Sequence, residues 1–365
     1  MIKILDKYLI VNFLRPFFYS LIAFTGIMLV TNVFETIDAL ISSQVSLTYS
    51  CQYFLLKIPQ IITLILPISI LLATLFSLSK LSYQNEITAM KANGLNIYRI
   101  FTPILILAFF LSILSFFWNE TMVVKANQIV NFIKQTQIKK IDVSQDEAYH
   151  ISLYLSGGRF LRSSYLNKNK GLMEDIHLLD YTPQNFLKVR LDAKYAKWNG
   201  KNWISGQGVK RRFNSSGEIV SAYQFKEEIL PLTKSPDDIL EIIFFEKKEP
   251  EEISFFSLLR YITILRKCGS KVTNYLVEFH MKVSFPMINF MMVLIGAPLA
   301  LFTTLKGRSI AEFGISIFIG FIYWGTMAIG RSLGRSEMLS PFLSAWLANL
   351  IFGFLGIYLL VKVKK

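Results

Sequence analysis

Between Lys57 and Lys80 the chain reads IPQIITLILPISILLATLFSLS, 22 residues without a charge. A helix crossing hydrocarbon needs roughly 20 predominantly apolar residues, since lipid offers its backbone no hydrogen-bond partner. This stretch therefore reads as a membrane span. Five further runs are bounded by charges in the same way. Arg15 to Glu35 encloses 19 uncharged residues, Arg99 to Glu120 encloses 20, and Lys282 to Lys306 encloses 23. Glu312 to Arg331 encloses 18, and Glu337 to Lys362 encloses 24. The fold class is an α-helical integral membrane protein with six transmembrane helices, three on each side of an inserted segment.

Composition agrees. Of 365 residues 53% are hydrophobic and only 18% charged, against roughly 25% charged in soluble domains. The net charge is +14, but residues 119–254 hold 20 Lys/Arg and 18 Asp/Glu. The excess thus lies beside the apolar runs rather than on a soluble basic face, which argues against a nucleic-acid partner. With the N-terminus in the cytoplasm, the inner segments carry 11 Lys/Arg and the two short outer loops carry 3, namely Lys57, Arg331 and Arg335. By the positive-inside rule both termini are cytoplasmic and the insert is outside. The first span is longer than a signal-peptide core, and no small-x-small site follows it at Asn32-Val33-Phe34-Glu35, so it reads as uncleaved.

The chain divides into spans one to three (1–120), an insert (121–253), a surface helix with its linker (254–281) and spans four to six (282–365). Residues 121–140 read as a helical continuation of the third span, and the rest of the insert as β. Tyr149, Ile151, Leu153 and Leu155 alternate before Gly157-Gly158, and Ile176–Tyr181, Val189–Trp198 and Ile219–Phe225 are further strands. Asn199-Gly200 between Trp198 and Trp203 predicts a hairpin with both turn residues at positive φ. Such a series of short strands suggests a sandwich or roll. Ser254–Lys271 has the pattern of an amphipathic helix, either at the outer membrane surface or packed on the β domain.

Enzymatic signatures are missing. There is no G-x-x-x-x-G-K-[ST] phosphate loop and no H-E-x-x-H. His150, His177 and His280 are dispersed, and no pair of acids lies within the spans. The chain thus reads as a non-enzyme with no metal and no bound cofactor. Cys51 and Cys268 both map outside, and the sequence leaves their pairing open.

Two features are informative. The first is the short inner connection from Leu78 to Gly94, which predicts a helix at about 84–93. Ser82 or Asn85 would cap it, Gly94 would close it in the left-handed region, and Glu86 would lie in its first turn. Glu86 then either stabilises this helix or pairs with a partner's arginine in a docking groove. The second is proline inside spans: Pro67 in the second, Pro286 and Pro298 in the fourth. Each removes a backbone donor and predicts a kink.

Leu66-Pro67-Ile68-Ser69-Ile70-Leu71-Leu72-Ala73-Thr74-Leu75, followed by Leu81-Ser82 and Asn85-Glu86-Ile87-Thr88-Ala89-Met90-Lys91-Ala92-Asn93-Gly94-Leu95, resembles the lipopolysaccharide export permeases of the LptF/LptG (YjgP/YjgQ) family. Asn85 stands where that family usually has Ser. Ile4-Leu5-Asp6-Lys7-Tyr8-Leu9 is similar to the family's start, and Leu339-Ser340-Pro341, Ala345-Trp346 and Asn349 are similar to its end. The segment Leu259-Arg260-Tyr261-Ile262, Leu265-Arg266-Lys267-Cys268-Gly269, leading to Lys282-Val283-Ser284-Phe285-Pro286, looks more like the LptG branch. The resemblance covers essentially the whole chain.

The resemblance implies a permease subunit of an ABC-type exporter. It pairs with a second LptF/LptG-type subunit on a dimeric cytoplasmic LptB-like ATPase, which alone uses ATP. Gln84, Asn85, Glu86, Ala89, Met90, Asn93 and Gly94 would form the ATPase-coupling helix. Lipopolysaccharide or lipooligosaccharide would enter from the inner membrane through a gate of the first and fifth spans. It would then pass to a periplasmic β-jellyroll and to LptC/LptA-like bridge proteins. The family often places a basic residue at the outer end of the first span to meet lipid phosphates, and here that end carries Asn32, Glu35 and Asp38. Lys57, Arg331 and Arg335 are the candidate phosphate contacts instead, or else interfacial anchors. The rival readings are the LptF-type partner subunit and a membrane-anchored periplasmic scaffold without transport, which would not need Glu86.

Overall fold

The computed structural model describes residues 4–140, 146–155, 158–182, 184, 186–214, 216–232, 234–248, 250–267, 271–302 and 309–363. Two compact units are present: 1–141 together with 273–365, and 142–272.

In the first unit, α1 spans Ile4–Ser42, α2 Leu47–Tyr83, α3 Glu86–Ala92 and α4 Ile97–Trp118. The last continues through a π-helical turn into α5 at Val124–Ile133 and a second π turn ending at Ile138, a 42-residue helix. At 1.5 Å per residue this is about 63 Å, twice the roughly 30 Å of a hydrocarbon core. The helical lead-in at 121–140 is therefore real, and it groups with the spans rather than with the β insert. The second half of this unit holds α8 (Thr273–Ser284), α9 (Ile288–Phe302), α10 (Ser309–Arg335) and α11 (Pro341–Lys362). Among the described residues five helices are long and apolar enough to cross a membrane, and α8 with α9, bent by 50°, makes a sixth.

That bent span begins earlier than its charge-free run, so Glu278 and Lys282 lie inside it. Its break follows from chemistry. Pro286 has no N–H, and the backbone tightens through Met287 N–H to Ser284 O (3.2 Å) and Ile288 N–H to Phe285 O (3.1 Å). The Asn349 amide donates to the Ser284 carbonyl at 2.8 Å, and its own oxygen accepts from Tyr323 Oη at 2.7 Å. Pro67 and Pro298 sit differently, inside α2 and α9, which are each assigned as one uninterrupted helix.

α2 is the hub of this unit. In its most apolar window 72% of residues are buried, against 11% for α1. Ile70, Leu71, Leu75 and Leu78 share one core with Leu9 and Phe13 of α1, Phe101 of α4, and Ile288 and Met292 of α9. Ser79 Oγ donates to Ala300 O, and Tyr98 Oη to Leu360 O, so the ends of α9 and α11 lie beside the ends of α2 and α4 that flank α3 in the chain. The turn joining α10 to α11 is at the opposite end.

The second unit carries one antiparallel sheet: β1 Glu147–Leu155, β2 Arg159–Asn167, β3 Leu172–Tyr181, β4 Leu187–Trp198, β5 Trp203–Phe213 and β6 Ile219–Ile229. Every strand pairs with its neighbour in sequence. Where the resemblance implies a jellyroll, the strand order here is that of a meander. Ile151, Leu161, Ile176, Leu191 and Trp203 form the inward face. The Asn199-Gly200 turn departs from its prediction. Trp198 pairs with Trp203 across a four-residue loop in which Gly200, not Asn199, has positive φ. Asn199 instead accepts from the N–H groups of Lys201 and Asn202 through its side chain, doing locally what a left-handed backbone would do.

Two helices complete this unit: α6 (Pro236–Lys247), not anticipated from sequence, and α7 (Phe255–Lys267). Ser235 and Asp238 form a reciprocal capping box at the start of α6. The Phe245 ring of α6 stacks on Tyr261 of α7 at 4.5 Å, and Leu258, Ile262 and Leu265 are buried beside it. The segment 254–271 thus carries a helix that packs on α6 within the insert unit, while Phe256 and Leu259 stay exposed. Cys51 is exposed on α2; Cys268, Gly269 and Gly157 lie outside the described residues.

Candidate functional site

Residues at both ends of the helical unit merit attention. At one end, α3 is a seven-residue helix pinned on both sides. Gly94, at φ +79°, closes it: its N–H reaches Lys91 O at 2.9 Å and the Leu95 N–H reaches Met90 O at 3.1 Å. This is the Schellman pattern, which needs a left-handed residue where Gly94 stands. The start differs from prediction. Asn85 occupies the cap position but is itself left-handed, at φ 63°, and its side chain caps nothing. The left-handed residue turns the chain sharply out of α2, so the cap geometry is given up to the turn.

Ile87 is buried in the common core and Met90 packs against it. Gln84, Asn85, Ala89, Asn93 and Gly94 are exposed, together with Thr88 and Ala92. The outward face of α3 is thus made of small or short polar side chains around a stiff, internally anchored backbone. Such a face admits close approach of another surface. Glu86 is placed otherwise than a docking role alone requires. Its Oε2 accepts from Tyr8 Oη at 2.6 Å, so this chain itself already engages the carboxylate.

At the opposite end the three basic candidates separate. Arg331 and Arg335 come together on α10, both bound to Glu278 of α8. Arg331 Nε and Nη2 donate to the two carboxylate oxygens at 2.7 and 2.6 Å, and Arg335 Nη2 donates at 2.8 Å. The Glu278 side chain is 11% exposed, that of Arg331 32% and that of Arg335 46%. The Glu278 carboxylate thus receives two guanidinium groups, of which that of Arg335 is the more exposed. Lys57 is on α2, where its Nζ donates to Gln60 Oε1 at 3.1 Å; it is not part of this cluster.

The close approach behind the cluster was missed in the sequence. Gly330 and Gly334 are four apart on α10 and face Ser344 of α11. A Cβ on Gly334 would stand 2.2 Å from Ser344 Oγ, and one on Gly330 2.5 Å from Ser344 O. The Gly-x-x-x-Gly spacing of Gly330 and Gly334 is the signal that could have found this contact. Glu278 was missed because it precedes the charge that bounds its span.

The architecture is thus three spans, an inserted β unit and three further spans, with a short anchored helix between the second and third. A sequence model of the lipopolysaccharide export system permeases LptF/LptG matches residues 7–362. The chain belongs to the LptF/LptG family. It is also similar to the lipopolysaccharide export system permease protein LptG of Haemophilus influenzae, at 20% identity over 341 residues, covering 93% of this chain and 92% of that protein. This LptF/LptG-family permease therefore sits nearer the LptG branch, as its segment before Pro286 implied. It is a multi-pass membrane protein of lipopolysaccharide export. Among the described residues of this permease no group of three or more His, Cys, Asp or Glu side chains is arranged to hold a metal ion.

Proposed function

We propose that this chain is the LptG-type half of a two-permease ABC exporter that extracts lipopolysaccharide or lipooligosaccharide from the inner membrane. The energy comes from ATP hydrolysed by a separate dimeric cytoplasmic ATPase. The observation that carries this reading is α3: a short helix anchored by Ile87 and the Gly94 turn, presenting Gln84, Thr88, Ala89 and Asn93 outward. That shape suits docking in a groove of an ATPase and passing force into the spans. In this reading α3 and both termini face the cytoplasm, and the β unit faces the periplasm. There the exposed edge strand β6, with Ile219, Val220 and Tyr223 outward, suits strand addition by a bridge protein of like fold.

The lipid path follows from the same orientation. The first and fifth spans meet where Phe24 stacks on Phe313 at 5.7 Å, a contact able to part as a lateral gate. Arg335, the more exposed guanidinium of its cluster, is the proposed contact to a lipid phosphate, and Lys57 a second. Arg331 is committed to Glu278 and serves to hold Arg335.

Co-purification in mild detergent tests the docking. The tagged chain should bring down a cytoplasmic ATPase, a second permease and a lipid A-containing glycolipid, identified by mass spectrometry. Ala89→Trp, which places bulk on the outward face, should lose the ATPase and keep the second permease. Glu86→Lys should weaken the ATPase as well. Recovery of periplasmic proteins alone, unaffected by either change, would leave the scaffold reading instead.

A further inference from the structure

The export reading assigns no role to the way α1 begins. Tyr8 donates to Glu86 at 2.6 Å, and Asp6 pairs with Arg99 at 2.7 Å. Glu86 opens α3, and Arg99 lies in the first turn of α4, just after the Asn96 cap. The start of α1 is therefore bonded on both flanks of the α3 segment. Between these bonds, Leu9 and Phe13 share a core with Ile87, and Met90 packs against it.

Burial along α1 is one-sided in the same sense. Leu9, Phe13, Phe17 and Ser20 are buried, and no residue is buried again until Leu40. Ser20 closes this anchored part through a 3.4 Å hydrogen bond to Ser69 O. Beyond it Ile22, Ile27, Val30 and Phe34 are exposed. A stiff helix bonded at its base, with one face exposed beyond it, acts as a lever. From Ser20 to Leu40 it extends about 30 Å, so a tilt of about 10° displaces its far part by about 5 Å.

We infer that Tyr8 and Asp6 are positioning residues that join the base of α1 to α3 and α4, so that a displacement of α3 tilts α1. This rests on the reading of α3 as the seat of the ATPase. It gives Glu86 a role within its own chain. Its carboxylate receives the Tyr8 hydroxyl, a hydrogen bond to a charged acceptor and hence stronger than a neutral one. The apolar contacts alone would let α1 slide over Ile87, whereas the directional Tyr8 hydrogen bond and the Asp6–Arg99 ion pair together hold its rotation and depth.

The test uses the assembled complex in proteoliposomes, reading ATP hydrolysed and lipid released in the same sample. Tyr8→Phe removes one hydroxyl and keeps the ring. It should leave ATPase co-purification and hydrolysis within about twofold of wild type and lower lipid release about fivefold, so that ATP spent per lipid rises about fivefold. Asp6→Arg should do the same, and Arg99→Asp added to it should restore the ratio. An unchanged ratio in both single variants overturns the inference while leaving the export reading intact. Loss of folded protein in Tyr8→Phe, seen by size-exclusion chromatography, also overturns it, since the contact is then one of stability. Failure of the wild-type complex to bind the ATPase or move lipid instead removes the export reading beneath it.

Discussion

Arg331 holds Glu278 through two hydrogen bonds, 2.7 and 2.6 Å long, across the interface between α8 and α10. Because Glu278 is buried, the pair cannot be parted by substituting one member without leaving a charge unmatched. Glu278→Ala should destabilise the protein by about 3 kcal/mol. Arg335→Ala, at a half-exposed side chain, should cost under about 1 kcal/mol. Thermal unfolding in detergent followed by circular dichroism measures both. Equal losses would show that the cluster is not organised around Arg331.

Gly334 lies where α10 and α11 approach most closely. Gly334→Ala puts a methyl against Ser344 and Val277, so one helix must move. A loss of about 1–3 kcal/mol is expected. Ser344→Ala alone should be tolerated, and added to Gly334→Ala it should recover part of the loss by vacating the position of Oγ. Unfolding midpoints of the two single variants and the double variant form the check.

Asn349 joins three elements through Tyr323 and Ser284. Asn349→Leu leaves the Tyr323 hydroxyl and the Ser284 carbonyl without this partner beside the break at Pro286. Interhelical hydrogen bonds of this kind are worth about 1 kcal/mol each in membranes, so a loss of about 1–2 kcal/mol is expected. Tyr323→Phe should lose less, because the Asn349 amide still reaches Ser284. Hydrogen exchange should quicken at residues 284–288 in Asn349→Leu and not in Tyr323→Phe.

Gln44 turns the chain from α1 into α2 with φ at 55°, in the region that costs an L-residue roughly 1–2 kcal/mol. Gln44→Gly should therefore stabilise the protein by up to about 1 kcal/mol, whereas Gly94→Ala, at φ +79°, should destabilise it by a similar amount. Opposite shifts in unfolding midpoint are expected. Shifts of the same sign would mean that side-chain contacts, not the backbone, decide these turns.

Asp192 in the insert is a group expected to confer acid sensitivity. Burial pushes its pKa up, but hydrogen bonds from His177 and Arg190 and their charges outweigh burial and hold it below the usual carboxylate range. A carboxyl whose folded pKa is depressed stabilises fully above its unfolded pKa and loses that contribution as pH falls through the folded one. Hydrogen exchange in β3, β4 and β5 should thus accelerate below about pH 4. Asp192→Asn should be less stable at neutral pH and flatter across that range. An identical acid limb in the variant would assign the sensitivity to other groups.

The six spans were legible because a hydrocarbon solvent leaves the backbone one simple solution, and a count of uncharged residues reads it. Strands β1, β3, β4 and β6 were legible from alternation and turn residues, and the closing turn of α3 from Gly94, since few residues accept its φ. What lay beyond the sequence is of another kind. Glu278 sits outside the charge-free run it serves, and only the packing of α8 on α10 shows that two arginines share it. Asn85 reads as a cap, yet the sharp exit from α2 claims its backbone. Tyr8 and Glu86 are 78 residues apart, and no local pattern announces that bond. Sequence by itself determined which segments are spans, strands and turns, because solvent and backbone sterics act locally. Tertiary structure decided which charges meet, how the broken span is satisfied and where α1 is gripped, because those energies depend on distances between residues far apart in the chain.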